Sequence, residues 1–382
     1  MPNLTWVKCL FLLYILIVVF YVMFKLVYKL FMFIIRKMGM EMKFTEEVIE
    51  LIKNYIISNI SKNPNKITQQ TCEYFQITTP TVLKYINELI KSKIIEKPGS
   101  NRYPNYQLVK TVHEWQYPNQ NLEEDILWSK HFSPLLGELN NNIKEVCQYG
   151  FTEMVNNVID HSDAKKLIIE LILDYLHVEI RVIDDGVGVF QKIKKVLGLE
   201  YSKQAILELA KGKFTSDPEN HSGEGIFFTS RVFDTFMIVS HKLSFVGFGN
   251  REGTLWEERD DLPGTGVLMK IKKDSSTQLI TIFNEYADPD KDPSFHKTLI
   301  PVKLMEHEGE SLLSRSQAKR LIFRFDRFLE VVLDFDGVKQ IGQAFADQIF
   351  RVFRNKHPNV RLRIINTTKD VANMIKRVQS AK

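Results

Sequence analysis

Two apolar, β-branched-rich runs, 166–173 and 176–183, follow one another closely and end in Asp184-Asp185-Gly186-Val187-Gly188. Runs of this length predict an antiparallel hairpin. The second strand then ends where two carboxylates and two glycines leave the apolar layer. A carboxylate at a strand end accepts a hydrogen bond from a ligand amine, and the glycines let the backbone turn sharply towards that ligand. An isolated Asp-x-Gly-x-Gly is weak, because strand ends often carry Asp and Gly for turns.

The flanking segments narrow the choice. Residues 150–162 predict a helix on which Phe151, Met154, Val155, Val158 and Ile159 share an apolar face. Glu153, Asn157 and His161 recur at i, i+4 and i+8 and line up beside it. Taken alone, that row reads first as a solvated surface. Downstream, 197–213 predicts a helix and 214–220 a polar loop. His221-Ser222-Gly223-Glu224-Gly225 then leads into helical spacing over 226–233. Gly-x-Gly before a helix is a phosphate cradle, since bare amides point outward and the helix dipole favours anions. A strand is expected at 235–240, and Gly264-Thr265-Gly266 opens another at 267–272.

In this order the motifs resemble the gyrase, chaperone, histidine-kinase and mismatch-repair (GHKL) ATPase superfamily, across 122–272. The resemblance implies an α/β sandwich with helices on one face of a mixed sheet, and ATP held between helices and a lid at 189–222. It implies that Asp184 reads the adenine amine, that Gly186 and Gly188 shape the base pocket, and that Asn157 ligates magnesium. Glu153 becomes the catalytic candidate, activating water or a substrate hydroxyl. Gly223 and Gly225 match the phosphate loop, and Thr265 the threonine beyond it. Asn156, His161, Lys213, His221 and Arg231 are further candidates for the phosphate end; His161 is equally a structural partner of a backbone group. Glu153 paired with Asn157 is most similar to the anti-sigma-factor serine kinases. His131 lacks the acidic neighbour expected of a phosphoacceptor.

Residues 43–110 predict three helices and two short strands around the loop Pro98-Gly99-Ser100-Asn101-Arg102. They resemble the winged helix-turn-helix domains of bacterial transcription regulators. The third helix would present Thr78, Thr79, Thr81, Lys84 and Tyr85 to the major groove, and Arg102 to a phosphate. Winged helices also serve as protein-docking domains. At the other end, Leu333-Asp334-Phe335-Asp336-Gly337-Val338 and the following Ile341-Gly342-Gln343-Ala344 resemble a STAS-like domain, with strands alternating with helices in a small α/β layer. Gly342-Gln343-Ala344 stands where STAS antagonists carry the serine that a kinase phosphorylates, so a docking role without a phospho-switch is expected.

Charge separates these parts. Residues 1–40 hold five bases and no acids; 41–112 hold ten and seven; 113–310 hold 21 and 33; 311–382 hold 15 and six. An acidic middle between basic ends suggests modules with separate partners. Three cysteines exclude a disulfide framework and fit a reducing compartment. The charge-free run 9–24 is either part of a membrane anchor over 4–30, leaving the remainder cytoplasmic, or lies upstream of a true start at Met38, Met40 or Met42.

The expected fold class is multidomain α+β: an N-terminal hydrophobic segment (1–40), a winged helix-turn-helix (41–112), a histidine-kinase-like ATP-binding α/β sandwich (113–275), a linker (276–299) and a STAS-like domain (300–382). The expected cofactors are ATP and Mg2+. The expected partners are double-stranded DNA at the winged helix and a protein at the STAS-like domain, with a membrane and a second copy of the chain as further candidates. The expected function is a nucleotide-gated bacterial regulator; the alternatives are a serine/threonine kinase of anti-sigma type and a slow ATPase driving a conformational cycle.

Overall fold

The computed structural model describes residues 44–99, 104–215, 223–248, 251–288, 292–306 and 311–380. The N-terminal hydrophobic segment, Arg102 and His221 lie outside the described residues. Among the described residues no helix is long and apolar enough to cross a membrane. The chain divides between Lys110 and Thr111 into two compact units.

The first unit holds helices α1 (Glu46–Asn59), α2 (Ile67–Phe75) and α3 (Thr79–Lys91), then strands β1 (Ile95–Glu96) and β2 (Gln107–Leu108), which pair antiparallel. Thr45 caps α1 by accepting from the Val48 amide at 3.4 Å. Pro80 sits in the first turn of α3, where its missing N–H costs nothing. Ile52, Ile56, Val82, Ile86 and Leu89 form the core. Tyr85 departs from its expected exposure. It is buried, because it lies three residues after Val82 and four before Leu89, on the apolar stripe. Thr79 and Lys84 are exposed on α3, and Thr81 is half-buried beside Thr78, their hydroxyls 2.9 Å apart.

The second unit is built on strands β3 (Thr111–Pro118), β4 (Lys166–Leu173), β5 (His177–Asp184), β6 (Thr235–Phe248) and β7 (Arg251–Lys272). They form one sheet in the order β3-β4-β5-β7-β6. A mixed sheet was the expectation; every pairing in this one is antiparallel. Helix α4 (Asn141–His161) lies on one face. Its Val146, Phe151, Val155 and Val158 join Leu167, Ile169, Val178, Ile180 and Val182 in one core. Along β5 residues 178, 180, 182 and 184 are all buried on the core face, and Glu179 is buried as well. The helix expected over 197–213 begins later, as α6 (Lys203–Lys211); a separate helix, α5 (Val189–Leu197), precedes it and ends where Gly198 takes a left-handed φ of 62°. Helix α7 (Gly225–Val232) follows.

Residues 276–299 were expected as a linker and instead carry structure. Helix α8 (Leu279–Tyr286), a hairpin of β8 (Ala287–Asp288) and β9 (Asp292–Phe295), and strand β10 (Lys297–Pro301) occupy this stretch. Tyr286 and Phe295 are buried. The C-terminal layer therefore starts at Lys297: β10, β11 (Glu330–Asp334) and β12 (Arg361–Ile365) pair in parallel, with α9 (Arg315–Ile322), α10 (Gln343–Asp347) and α11 (Lys369–Ser380) beside them. A second core unites Leu207 of α6, Phe227 and Phe228 of α7, Tyr286 and Phe295 with Ile300, Phe325, Phe335 and Phe345.

Gly150 of α4 is a tight point in the first core. A Cβ there would lie 2.4 Å from the Phe233 ring and 2.9 Å from the Met269 sulfur. Gly150→Ala is therefore expected to lower stability by about 1–3 kcal/mol, although alanine is the better helix former. Urea denaturation reads this, and an unchanged midpoint would contradict the close packing.

Candidate functional site

A cavity of about 330 Å3 opens between α4, the end of β5, α5 and the start of α7. The helical row expected from sequence, Glu153, Asn157 and His161, lines one wall, and Asn156 lines it too. Their i, i+4 spacing brings them together on the edge of a helix whose other face is core.

The alternation of β5 delivers Asp184 to the opposite end. It continues the inward series after Val182, which also lines the cavity. Asp185 points the other way, and its Oδ1 accepts from the Lys165 and Lys166 amides at 2.8 and 2.9 Å. Only one of the two adjacent aspartates can therefore reach the cavity. Asp184 is 6% exposed, and burial pushes its carboxyl up to about 6 against hydrogen bonds from the Gly186 amide and from Thr265. The Gly186 amide donates to Oδ1 at 2.7 Å. Thr265 lies opposite Asp184 in the β5–β7 register, and its hydroxyl also accepts from the Val189 amide at 3.0 Å. The strand end is thus tied to the first residue of α5.

Gly186 is not among the lining residues; its amide holds Asp184, and a Cβ there would sit 2.1 Å from the Ser162 carbonyl oxygen. Gly188 does line the cavity, with a φ of 81°. A Cβ at Gly188 would meet the Ser240 hydroxyl at 2.5 Å, so only glycine fits the turn into α5.

Gly223 and Gly225 lie at the far end with Glu224, beside Gly212, Phe214 and Thr215. The Phe214 amide donates to the Gly223 carbonyl at 3.1 Å. The Glu153 carboxylate packs against the first residue of α7: a Cβ on Gly225 would sit 2.0 Å from its Oε2. Tyr149, one turn earlier on α4, is hydrogen-bonded to Glu153, and burial drives its phenol well above the usual range. Burial also raises Glu224, against the opposing pull of Lys213 and His296.

Lys213 and Arg231 were expected at the phosphate end and do not face the cavity. The Lys213 ammonium donates to the Arg327 carbonyl at 3.3 Å and lies over the Phe328 ring. The Arg231 guanidinium is buried 3.3 Å from the Phe227 ring centroid and donates to the Phe227 and Leu299 carbonyls. Among the described residues, a lysine that does line the cavity is Lys192 of α5, whose ammonium donates to the His161 carbonyl. It was missed. The available signal was its position one turn after Gly188, on a helix with Phe190 and Ile193 turned inward.

Chemically, the cavity offers a carboxylate acceptor at one end, apolar walls from Val182, Ile193, Ile238 and Val267, and a helix N-terminus at the other. That combination suits a flat ligand with a donor edge and an anionic tail.

Residues 317–372 match the family described as a STAS-like domain of unknown function (DUF4325). The C-terminal part is therefore a STAS-like domain, a type that serves as a regulatory interaction module. No curated protein matches the chain.

The buried Asp184 makes a pH prediction. Its folded pKa lies above its ordinary value of 3.8, so its contribution to stability is full below about pH 4 and lost as pH rises through about 6. The difference is on the order of 3 kcal/mol. Asp184→Asn is expected to flatten the stability slope between pH 4 and 6 and to narrow the gap from wild type at neutral pH. Denaturation midpoints across that range read it; parallel curves for the two proteins would contradict the assignment.

Proposed function

We propose that the protein is an ATP-binding regulator whose nucleotide cavity is coupled to its STAS-like domain. One observation carries this reading: Asp184, Thr265, Gly225 and the Glu153/Asn157 pair of α4 come from four separate stretches of sequence and meet around a single cavity. The Asp184 carboxylate is the acceptor that an adenine amine requires, and Val182, Ile238 and Val267 are the walls a purine requires. The amide end of α7 faces the phosphates.

Magnesium fits a donor set of this kind. Among the described residues no three His, Cys, Asp or Glu side chains gather as a metal site. Mg2+ accompanying a nucleotide needs only one or two protein oxygens, with phosphate and water supplying the others. The Asn157 amide oxygen would hold it, and the bound ion would neutralise phosphate charge.

Glu153 favours turnover over simple sensing. Its carboxylate lies at the α7 end of the cavity, hydrogen-bonded by Tyr149, where a water or hydroxyl would need a base. In the first unit, Thr79, Thr81 and Lys84 on α3 are the proposed DNA-facing residues, and the STAS-like domain is the proposed protein-docking surface.

Calorimetry with Mg-ATP tests the reading. Asp184→Asn and Asn157→Ala are each expected to weaken binding about tenfold or more, as loss of a hydrogen bond to a charged group or of a metal ligand would. Wild-type affinity is expected to fall below pH 6 as Asp184 is protonated, by about tenfold at pH 5. Affinity unaltered in both variants would remove the site assignment. Phosphate release that persists in Glu153→Ala would remove its catalytic role. In the first unit, Lys84→Ala is expected to weaken binding of duplex DNA and reduce its salt dependence; an identical titration would move the DNA face elsewhere.

A further inference from the structure

The cavity's edge at 212–215 is fastened from outside its own half of the unit. Arg324 lies in the STAS-like module, in a left-handed backbone conformation with φ of 65°, and is 6% exposed. Its Nη1 donates to the Glu208 carboxylate of α6 at 2.9 Å. Its Nη2 donates to the Gly212 carbonyl at 3.3 Å and also to the Lys213 carbonyl. Glu208 also takes Lys211, fully buried, at 2.6 Å. The Lys211 ammonium donates onward to the carbonyls of Arg320 and Phe323, at 3.2 and 2.9 Å.

Two further bonds cross at the same place. The Thr298 hydroxyl of β10 donates to the Lys211 carbonyl at 2.7 Å. Arg327, exposed, donates to the Lys213 carbonyl at 3.4 Å and accepts from the Lys213 ammonium. Three successive carbonyls, 211 to 213, are thus held by side chains of the C-terminal part. The next two residues, Phe214 and Thr215, line the cavity, and Phe214 is bonded to Gly223.

Buried charges joined in this way are costly unless fully paired, and replacing such groups with apolar residues is often neutral or stabilising. Stability alone therefore does not explain the cluster. What it achieves is position. It fixes backbone that could not otherwise be specified, since a chain leaving a helix beside glycine has few side-chain anchors of its own.

We infer that Arg324 is a positioning residue of the cavity, supplied by the STAS-like module, and that the cavity's affinity for its ligand is coupled through it to the state of that module. The ligand part of this inference rests on the nucleotide reading above; the positioning part does not. Because coupling is reciprocal, a partner that shifts the loop at Arg324 changes ligand affinity, and ligand changes the partner's affinity by the same factor.

Hydrogen exchange followed by mass spectrometry on the full chain tests the positioning directly, without nucleotide. Three variants are compared: Arg324→Lys, Thr298→Val and Arg327→Ala. The last removes an exposed side chain and leaves the core intact should Arg324→Lys fail to fold. Faster exchange confined to 212–215 and 223–225 is expected in Arg327→Ala and Thr298→Val. Exchange there that matches wild type in both would overturn the inference. Calorimetry with Mg-ATP supplies the second arm. Where wild type binds, the variants are expected to bind about fivefold or more weakly, and ATP is expected to slow exchange at 324–328, which does not touch the cavity. Equal affinities would overturn the coupling. If wild type takes no ATP, the nucleotide reading falls, and the exchange arm alone decides the positioning.

Discussion

The second unit is organised around a carboxylate where carboxylates are expensive to place. Asp184 ends a strand whose inward positions are Val178, Ile180 and Val182, and the period of two leaves it no other direction. Its charge is sustained by the Gly186 amide and by Thr265, one the next turn of the chain, the other its neighbour across the sheet. The register of β5 on β7 is therefore part of the site. A slip of one residue would turn Asp184 to the outer face and bring Asp185 inward, away from both donors. Gly188, Val189 and Lys192 depend on the same tie, since the Thr265 hydroxyl also receives the first amide of α5.

Local periodicity was enough to read most of this. The hairpin and the polar row over 150–162 were legible because each is a pattern repeated every two or every 3.6 residues, and the Gly-x-Gly before α7 as a local motif; the first nine residues of α4, 141–149, were not read as helix. Residues that depend on the far side of the molecule were not. Lys213 and Arg231 sit at suitable sequence positions beside the phosphate motif, yet Lys213 turns to Arg327 and Phe328 of the C-terminal part, and Arg231 turns to Phe227 of its own helix and to the Leu299 carbonyl. Nothing in their own neighbourhood indicates the C-terminal partners. Tyr85 was expected on the exposed face of α3, while its spacing from Val82 and Leu89 puts its ring in the core.

The stretch 276–299 failed as a linker for a compositional reason that was visible but underweighted. It carries Phe283, Tyr286 and Phe295, and linkers seldom hold so many aromatics. Phe295 packs at 4.4 Å from the Phe227 ring and 5.6 Å from that of Phe328, one on each side of the expected boundary. Burial of rings on this scale contributes about 1.5–3 kcal/mol each. The acidic middle and basic end noted from charge counts are therefore not freely separable bodies.

That shared aromatic layer bears on how such a chain could have been assembled. Cassettes that recombine freely carry complete interiors and meet through wet, polar seams. Here Phe227 and Phe228, on the helix that closes the cavity, find their ring partners in Phe283, Tyr286 and Phe295, within a core that continues into the C-terminal layer. A transplanted C-terminal cassette would have to bring matching rings with it. Separating the two halves at this junction would expose these rings to water.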